Sequence, residues 1–131
     1  MMKMLFFILI IHCLPATAQY DKEKIISILT SGSSATWTVQ GSNTIAEEKS
    51  YIFNVNGTCI VQPAKPGAKA FNAKWSLSSP DNIRWFIDIG DRKYELIISF
   101  DKKGQQYIKL TRRPDRTRSV YYETLLYPLS K

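Results

Sequence analysis

The stretch KSYIFNVNGTCIVQ, Lys49–Gln62, decides how the chain folds. Tyr51, Phe53 and Val55 alternate with Ile52 and Asn54, Asn56-Gly57 follows, and Thr58, Cys59, Ile60 and Val61 return. Alternation with period two marks a strand that buries one face. Asn-Gly marks the turn, because both residues tolerate the positive φ of a tight hairpin. Two registers satisfy the pattern. A two-residue turn puts Phe53 and Ile60 on one face and Cys59 on the other. A three-residue turn, with Gly57 forming a bulge, places Cys59 and Val61 beside Phe53.

Working outward, the same alternation recurs. Upstream, Asp21–Thr30 reads as a short amphipathic helix. Asp21 caps it, Glu23 lies in the first turn, Ile25, Ile28 and Leu29 share a face, and Ser31-Gly32-Ser33-Ser34 stops it. A helix this short needs tertiary packing, and the open end of a sheet or barrel can supply it. Ala35–Gln40 is the first strand, with Trp37 and Val39 on one face, and Gly41–Glu48 is a polar loop. Downstream of the hairpin, PAKPGAK at 63–69 is a loop, since its prolines exclude a central strand. Phe71–Ser78 aligns Phe71, Ala73, Trp75 and Leu77. Ile83–Ile89 aligns Ile83, Trp85, Ile87 and Ile89 against Arg84, Phe86 and Asp88. Lys93–Phe100 turns Tyr94, Leu96, Ile98 and Phe100 inward. Gln106–Thr111 offers Ile108 and Leu110 as its core pair, Arg112–Thr117 is a basic loop, and Ser119–Tyr127 is the last strand.

The sum is one short helix and eight strands joined mostly by tight turns, without helical crossovers. Sequence neighbours should then be antiparallel neighbours in space. The fold class expected is all-β: an eight-stranded antiparallel up-and-down barrel with a short N-terminal helix. Closure removes the sheet edges. A two-sheet sandwich is the alternative.

The first residues read as a signal peptide rather than as fold. Lys3 precedes the apolar run Leu5–Leu14, and Ala16-Thr17-Ala18 is a small-residue cleavage site, so residues 1–18 are expected to be removed. The run is shorter than the about 20 apolar residues of a spanning helix. The protein is therefore expected to be exported, to the periplasm or beyond the cell, with residues 19–131 forming a single domain. Cleavage would take Cys13 and His12 with it. Cys59 would remain without a disulfide partner, reading as a buried small hydrophobe rather than a reactive thiol.

These residues resemble the small bacterial lipocalin-like domains, exported barrels of the broader lipocalin and fatty-acid-binding-protein type. The resemblance rests on Trp37 after a short helix, Tyr51-Ile52-Phe53 before Asn56-Gly57-Thr58, then Trp75-Ser76-Leu77, Tyr94-Glu95-Leu96 and Ile108-Lys109-Leu110. Two features depart from it. Typical lipocalins carry Gly-x-Trp where this chain has Ala35-Thr36-Trp37, and an arginine from the last strand where this chain has only Arg118 at the strand's start. The resemblance implies binding of a small apolar or amphipathic molecule inside the barrel.

The residue inventory weighs against catalysis. Zinc sites draw on Cys and His, and after removal of residues 1–18 a chain with Cys59 and no histidine cannot build one. Asp88 and Asp91 could offer calcium two carboxylates, but they read as a hairpin turn. No histidine base stands behind a serine or cysteine nucleophile. Glu47, Glu48, Asp88, Asp91 and Glu95 fall in loops or on outward faces, away from the pairing that glycoside hydrolysis needs. No phosphate-binding glycine loop occurs. The expectation is a protein that is not an enzyme and takes no cofactor and no metal.

The candidate ligand contacts inside the barrel are Trp37, Phe53, Trp75, Trp85, Tyr94 and Tyr122, each of which could equally be core packing. A different reading rests on charge. The chain carries a formal +7, concentrated late, and Arg112, Arg113, Arg116 and Arg118 cluster in one loop. Such a patch could make the barrel an interaction module that docks a protein or an anionic envelope surface. No nucleic-acid-binding motif supports nucleic acid as the partner. Asn56-Gly57-Thr58 also matches a glycosylation sequon, though turn chemistry explains it as well.

Overall fold

The structure is a computed structural model, and residues 20–43, 46–112 and 122–129 are described here. The signal-peptide reading of residues 1–18 lies outside them, as do Arg113, Arg116 and Arg118.

Helix α1, Lys22–Thr30, begins where the Asp21 side chain accepts a 2.8 Å hydrogen bond from the Lys24 amide. This satisfies one of the free N–H groups of the first turn. The helix ends with Ser31 and Gly32 both at positive φ, the conformation that closes a helix and reverses the chain. Eight strands follow: β1 (Ser34–Ser42), β2 (Glu48–Asn54), β3 (Thr58–Pro63), β4 (Phe71–Ser78), β5 (Trp85–Ile89), β6 (Arg92–Phe100), β7 (Gln106–Arg112) and β8 (Tyr122–Pro128). Each pairs antiparallel with its sequence neighbour, and β1 pairs with β8, so the sheet closes into an up-and-down barrel. The sandwich alternative is excluded by that last pairing. Register shifts between Val39 and Gly41 and between Glu48 and Ser50 bend β1 and β2 around the closure.

The hairpin settles its register in favour of the bulged turn. Phe53 stands opposite Cys59 and Tyr51 opposite Val61, all four buried. The Gly57 amide donates to the Asn54 carbonyl at 3.0 Å with Gly57 at φ +91°, a conformation for which glycine is suited. The Asn56 carboxamide oxygen accepts from the Thr58 amide and hydroxyl at 3.0 and 2.7 Å, so its side chain serves the turn.

Burying Cys59 has a chemical consequence. The sulfur sits in the core, and burial pushes the thiol up to about 12. A thiol held protonated does not attack disulfide reagents. In a chain starting at Gln19, a disulfide reagent at about pH 8 should label nothing in the folded protein and one thiol per chain after denaturation. Prompt labelling of the folded protein would mean that Cys59 faces outward.

Four apolar positions differ from the sequence reading. Val55, Ile83, Phe71 and Phe100 are half to two-thirds exposed. Val55 belongs to the turn, not the strand. Ile83 precedes β5, in a turn where Asp81 accepts from the Arg84 and Ile83 amides at 2.8 and 3.0 Å. Phe71 and Phe100 keep inward parity, but each sits at a strand end where the barrel has no layer left to cover it. Val55, Ile83 and Phe100, with exposed Leu129, all belong to connections or ends on the side where α1 sits.

Candidate functional site

The six aromatic candidates divide between core and rim. Phe53 is fully buried, with the Trp75 ring edge-on at 5.6 Å and Tyr51 stacked at 5.8 Å. Trp37 is buried and its indole Nε1 donates to the Leu29 carbonyl of α1 at 2.9 Å. Trp75 Nε1 donates to the Asn54 carbonyl at 3.0 Å. Both tryptophans thus satisfy backbone carbonyls at the ends of α1 and β2 and pack in the core, with the helix residues Ile25 and Leu29 beside them. Their partners are fixed parts of the fold, which makes them packing and fastening residues. Trp37 is thereby fastened to the helix.

Trp85 is different. It is half-buried at the start of β5, opposite Leu96, and packs on the edge of the core. Its Nε1 is buried and has no hydrogen-bond partner among the described residues. A buried N–H with nothing to donate to costs about 1–3 kcal/mol. Trp85 also lines a half-open pocket of about 250 Å³ together with Tyr20, Ile25, Ile83, Leu96 and Ile98, and with the charged residues Arg84 and Glu95. The cavity opens where β5 begins at Trp85 while β6 runs on to Phe100, beside Ile25 of α1. It exceeds the ~150 Å³ of an apolar cavity that admits benzene, which stays dry until filled. It falls below the ~300 Å³ at which drug-sized sites begin.

The opposite end of the barrel is polar. There Arg92 and Tyr94 on β6, Arg112 on β7, Tyr122 on β8 and Tyr51 on β2 come together with Glu47 and Glu48. Arg92 Nη1 bonds Glu47 Oε2 and lies 3.5 Å from Glu48 Oε1. Arg112 Nη2 reaches Glu47 Oε1 at 3.2 Å, and its guanidinium lies 4.8 Å from the Tyr122 ring centre. Burial raises the Glu48 carboxyl above its usual range. Arg92 draws it down and the Glu47 charge pushes it up, but Arg92 is shared between both carboxylates, so burial prevails. Burial, with Tyr94 beside it, also drives the Tyr51 phenol far upward, so it stays protonated.

Of the basic-loop candidates, only Arg112 falls among the described residues. Its side chain is 17% exposed and tied to Glu47, so it belongs to this polar end rather than to a free surface. Tyr94 is buried, and Tyr122, half-buried, forms the ring beneath Arg112. Asp88 lies 3.8 Å from Lys93 across the β5–β6 pair. Glu47, Glu48 and Arg92 went unrecognised as partners in the sequence. The inward position of Arg92, two residues before Tyr94 on an alternating strand, is the signal that could have found it.

No family model, curated protein or solved structure matches the chain. The barrel and its two ends are therefore read on their own geometry.

Proposed function

We propose that this protein is an exported, lipocalin-like binding protein, not an enzyme, that holds a small apolar or amphipathic molecule in the cavity beneath Trp85. The observation that carries the reading is a mainly apolar pocket of about 250 Å³ walled by Trp85, Ile25, Leu96 and Ile98, with Arg84 and Glu95 also lining it. A ligand with an apolar body would cover Leu96, Ile98 and Ile25 and lie against the Trp85 side chain. The exposed Ile83, Phe100, Val55 and Leu129 on the same end make an apolar approach to the cavity. Export rests on the apolar run Leu5–Leu14 and the Ala16-Thr17-Ala18 site. For the rival reading, docking through the basic loop, Arg112 is paired with Glu47, while Arg113, Arg116 and Arg118 lie outside the described residues.

The test uses 1-octanol and the three indole N–H resonances of the protein in solution. Trp37 and Trp75 already donate to carbonyls, so only the Trp85 resonance should move, and it should saturate. Leu96→Trp, which occupies the part of the cavity beside Trp85, should abolish the shift. A Trp85 resonance indifferent to octanol, or a shift that survives Leu96→Trp, would reject the reading.

A further inference from the structure

Strand β6 outruns its partner on one side. It pairs with β7 through Phe100, but its pairing with β5 stops where Leu96 stands opposite Trp85. Ile97, Ile98, Ser99 and Phe100 are therefore held extended by β7 and have no strand on the other side. In such a segment every second residue turns both its N–H and its C=O to the open side. The chain that would continue β5 is folded away. Asp81 accepts from the Ile83 and Arg84 amides, the Ser79 hydroxyl donates to the Arg84 carbonyl at 2.6 Å, and Asn82 adopts φ +59°. These groups thus find their partners within residues 79–84 rather than on β6.

The open edge borders the pocket beneath Trp85. Glu95, Leu96, Ile97 and Ile98 all line it, although their side chains alternate and only Leu96 and Ile98 are buried in the barrel. What consecutive residues share is the main-chain edge. An edge of free hydrogen-bonding groups beside apolar side chains suits an added strand, whose backbone extends the ladder while alternate side chains fill the pocket. We propose that the β6 edge takes an extended peptide segment of a partner protein, added antiparallel in the gap ahead of β5. The inference rests on that pocket being a binding site. The flanking charges give the segment its pattern. Lys102 and Lys103 are exposed in the turn beyond Phe100, where the Asp101 carboxylate accepts from the Lys103 and Gln105 amides and the Tyr127 hydroxyl. At the inner end Arg84 is paired with Asp81, and Glu95 has no ion pair among the described residues. The segment then carries an acid by the lysines and apolar residues opposite Phe100 and Ile98. It places a polar residue opposite Ser99 and a base opposite Ile97, diagonal to Glu95 on the outer face.

The experiment titrates the capped peptide acetyl-Glu-Val-Thr-Leu-Lys-amide into the protein at about 0.15 M salt, where distant charges are largely screened, and follows amide hydrogen exchange. With nine-tenths of the protein bound, exchange should slow about tenfold at alternate amides among Ile97, Ile98, Ser99 and Phe100. Methylating the peptide's Val and Leu nitrogens, or its Thr and Lys nitrogens, should give opposite results. One pair faces the edge and its methylation should abolish binding, while the other pair should tolerate it. Exchanging the terminal Glu and Lys, at constant composition, should weaken binding about fivefold. The proposal is overturned if millimolar peptide slows none of the four amides, if both methylated peptides bind like the parent, or if the charge-exchanged peptide binds as tightly. A Trp85 indole shift with 1-octanol but no response to the peptide would reject this inference and leave the small-molecule reading standing. Peptide protection of the β6 edge with octanol silence at Trp85 would do the reverse.

Discussion

Phe53→Ala should cost about 3–5 kcal/mol of stability, read as a drop in the urea midpoint with little change in slope. Phe53 is fully buried in the middle of β2 and touches neighbours on three strands: Cys59 opposite on β3, Trp75 edge-on from β4 and Ala35 opposite on β1. Removing the ring loses its transfer free energy and leaves a hole that closed strands cannot collapse to fill. A domain of this size is stable by about 5–15 kcal/mol, so the change takes a large fraction of the total. A loss below about 1 kcal/mol would show that Phe53 is not in the core.

Trp37→Ala should cost as much, about 3–5 kcal/mol, and should do so by releasing the helix. Trp37 packs in the same core as Ile25 and Leu29 and fastens α1 to β1 through the Leu29 carbonyl. α1 has nine residues, too few to stay helical alone. Trp37→Phe separates the two contributions. It keeps most of the ring but leaves the Leu29 carbonyl unpaired, at about 1–3 kcal/mol. Hydrogen exchange resolves the mechanism: both variants should lose protection first at Ile25–Thr30, while the β6–β7 amides keep theirs. Uniform loss of protection across helix and strands would mean that the helix does not detach separately.

The two ends of the barrel do different chemical work because their inward rows end differently. At the helix end the rows finish in apolar residues, and a short β5 leaves Trp85 beside an uncovered cavity. At the other end they finish in Arg92, Arg112, Tyr122 and Tyr51, and the β1–β2 connection brings acids to them. Between the ends the barrel is filled by Phe53, Trp37, Trp75 and their neighbours. The sites proposed here are thus terminal, not central.

Local patterning by itself determined most of the fold. The helix with its Asp21 cap, the hairpin at Asn56-Gly57 and the eight alternating runs all follow from period and turn chemistry, which act over a few residues. Neighbour-to-neighbour pairing followed from the short connections. Other features needed tertiary structure. Whether Cys59 faces in or out depends on one residue of register, and register is fixed by which face finds a core. Whether Phe71 and Phe100 are covered depends on where neighbouring strands stop, which alternation within one strand does not encode. That Trp37 and Trp75 donate to carbonyls while Trp85 has none depends on the position of the helix and of β2's end. The Glu47 contact with Arg92 and Arg112 joins residues 45 and 65 positions apart, brought together only when β1 and β8 close the sheet into a barrel.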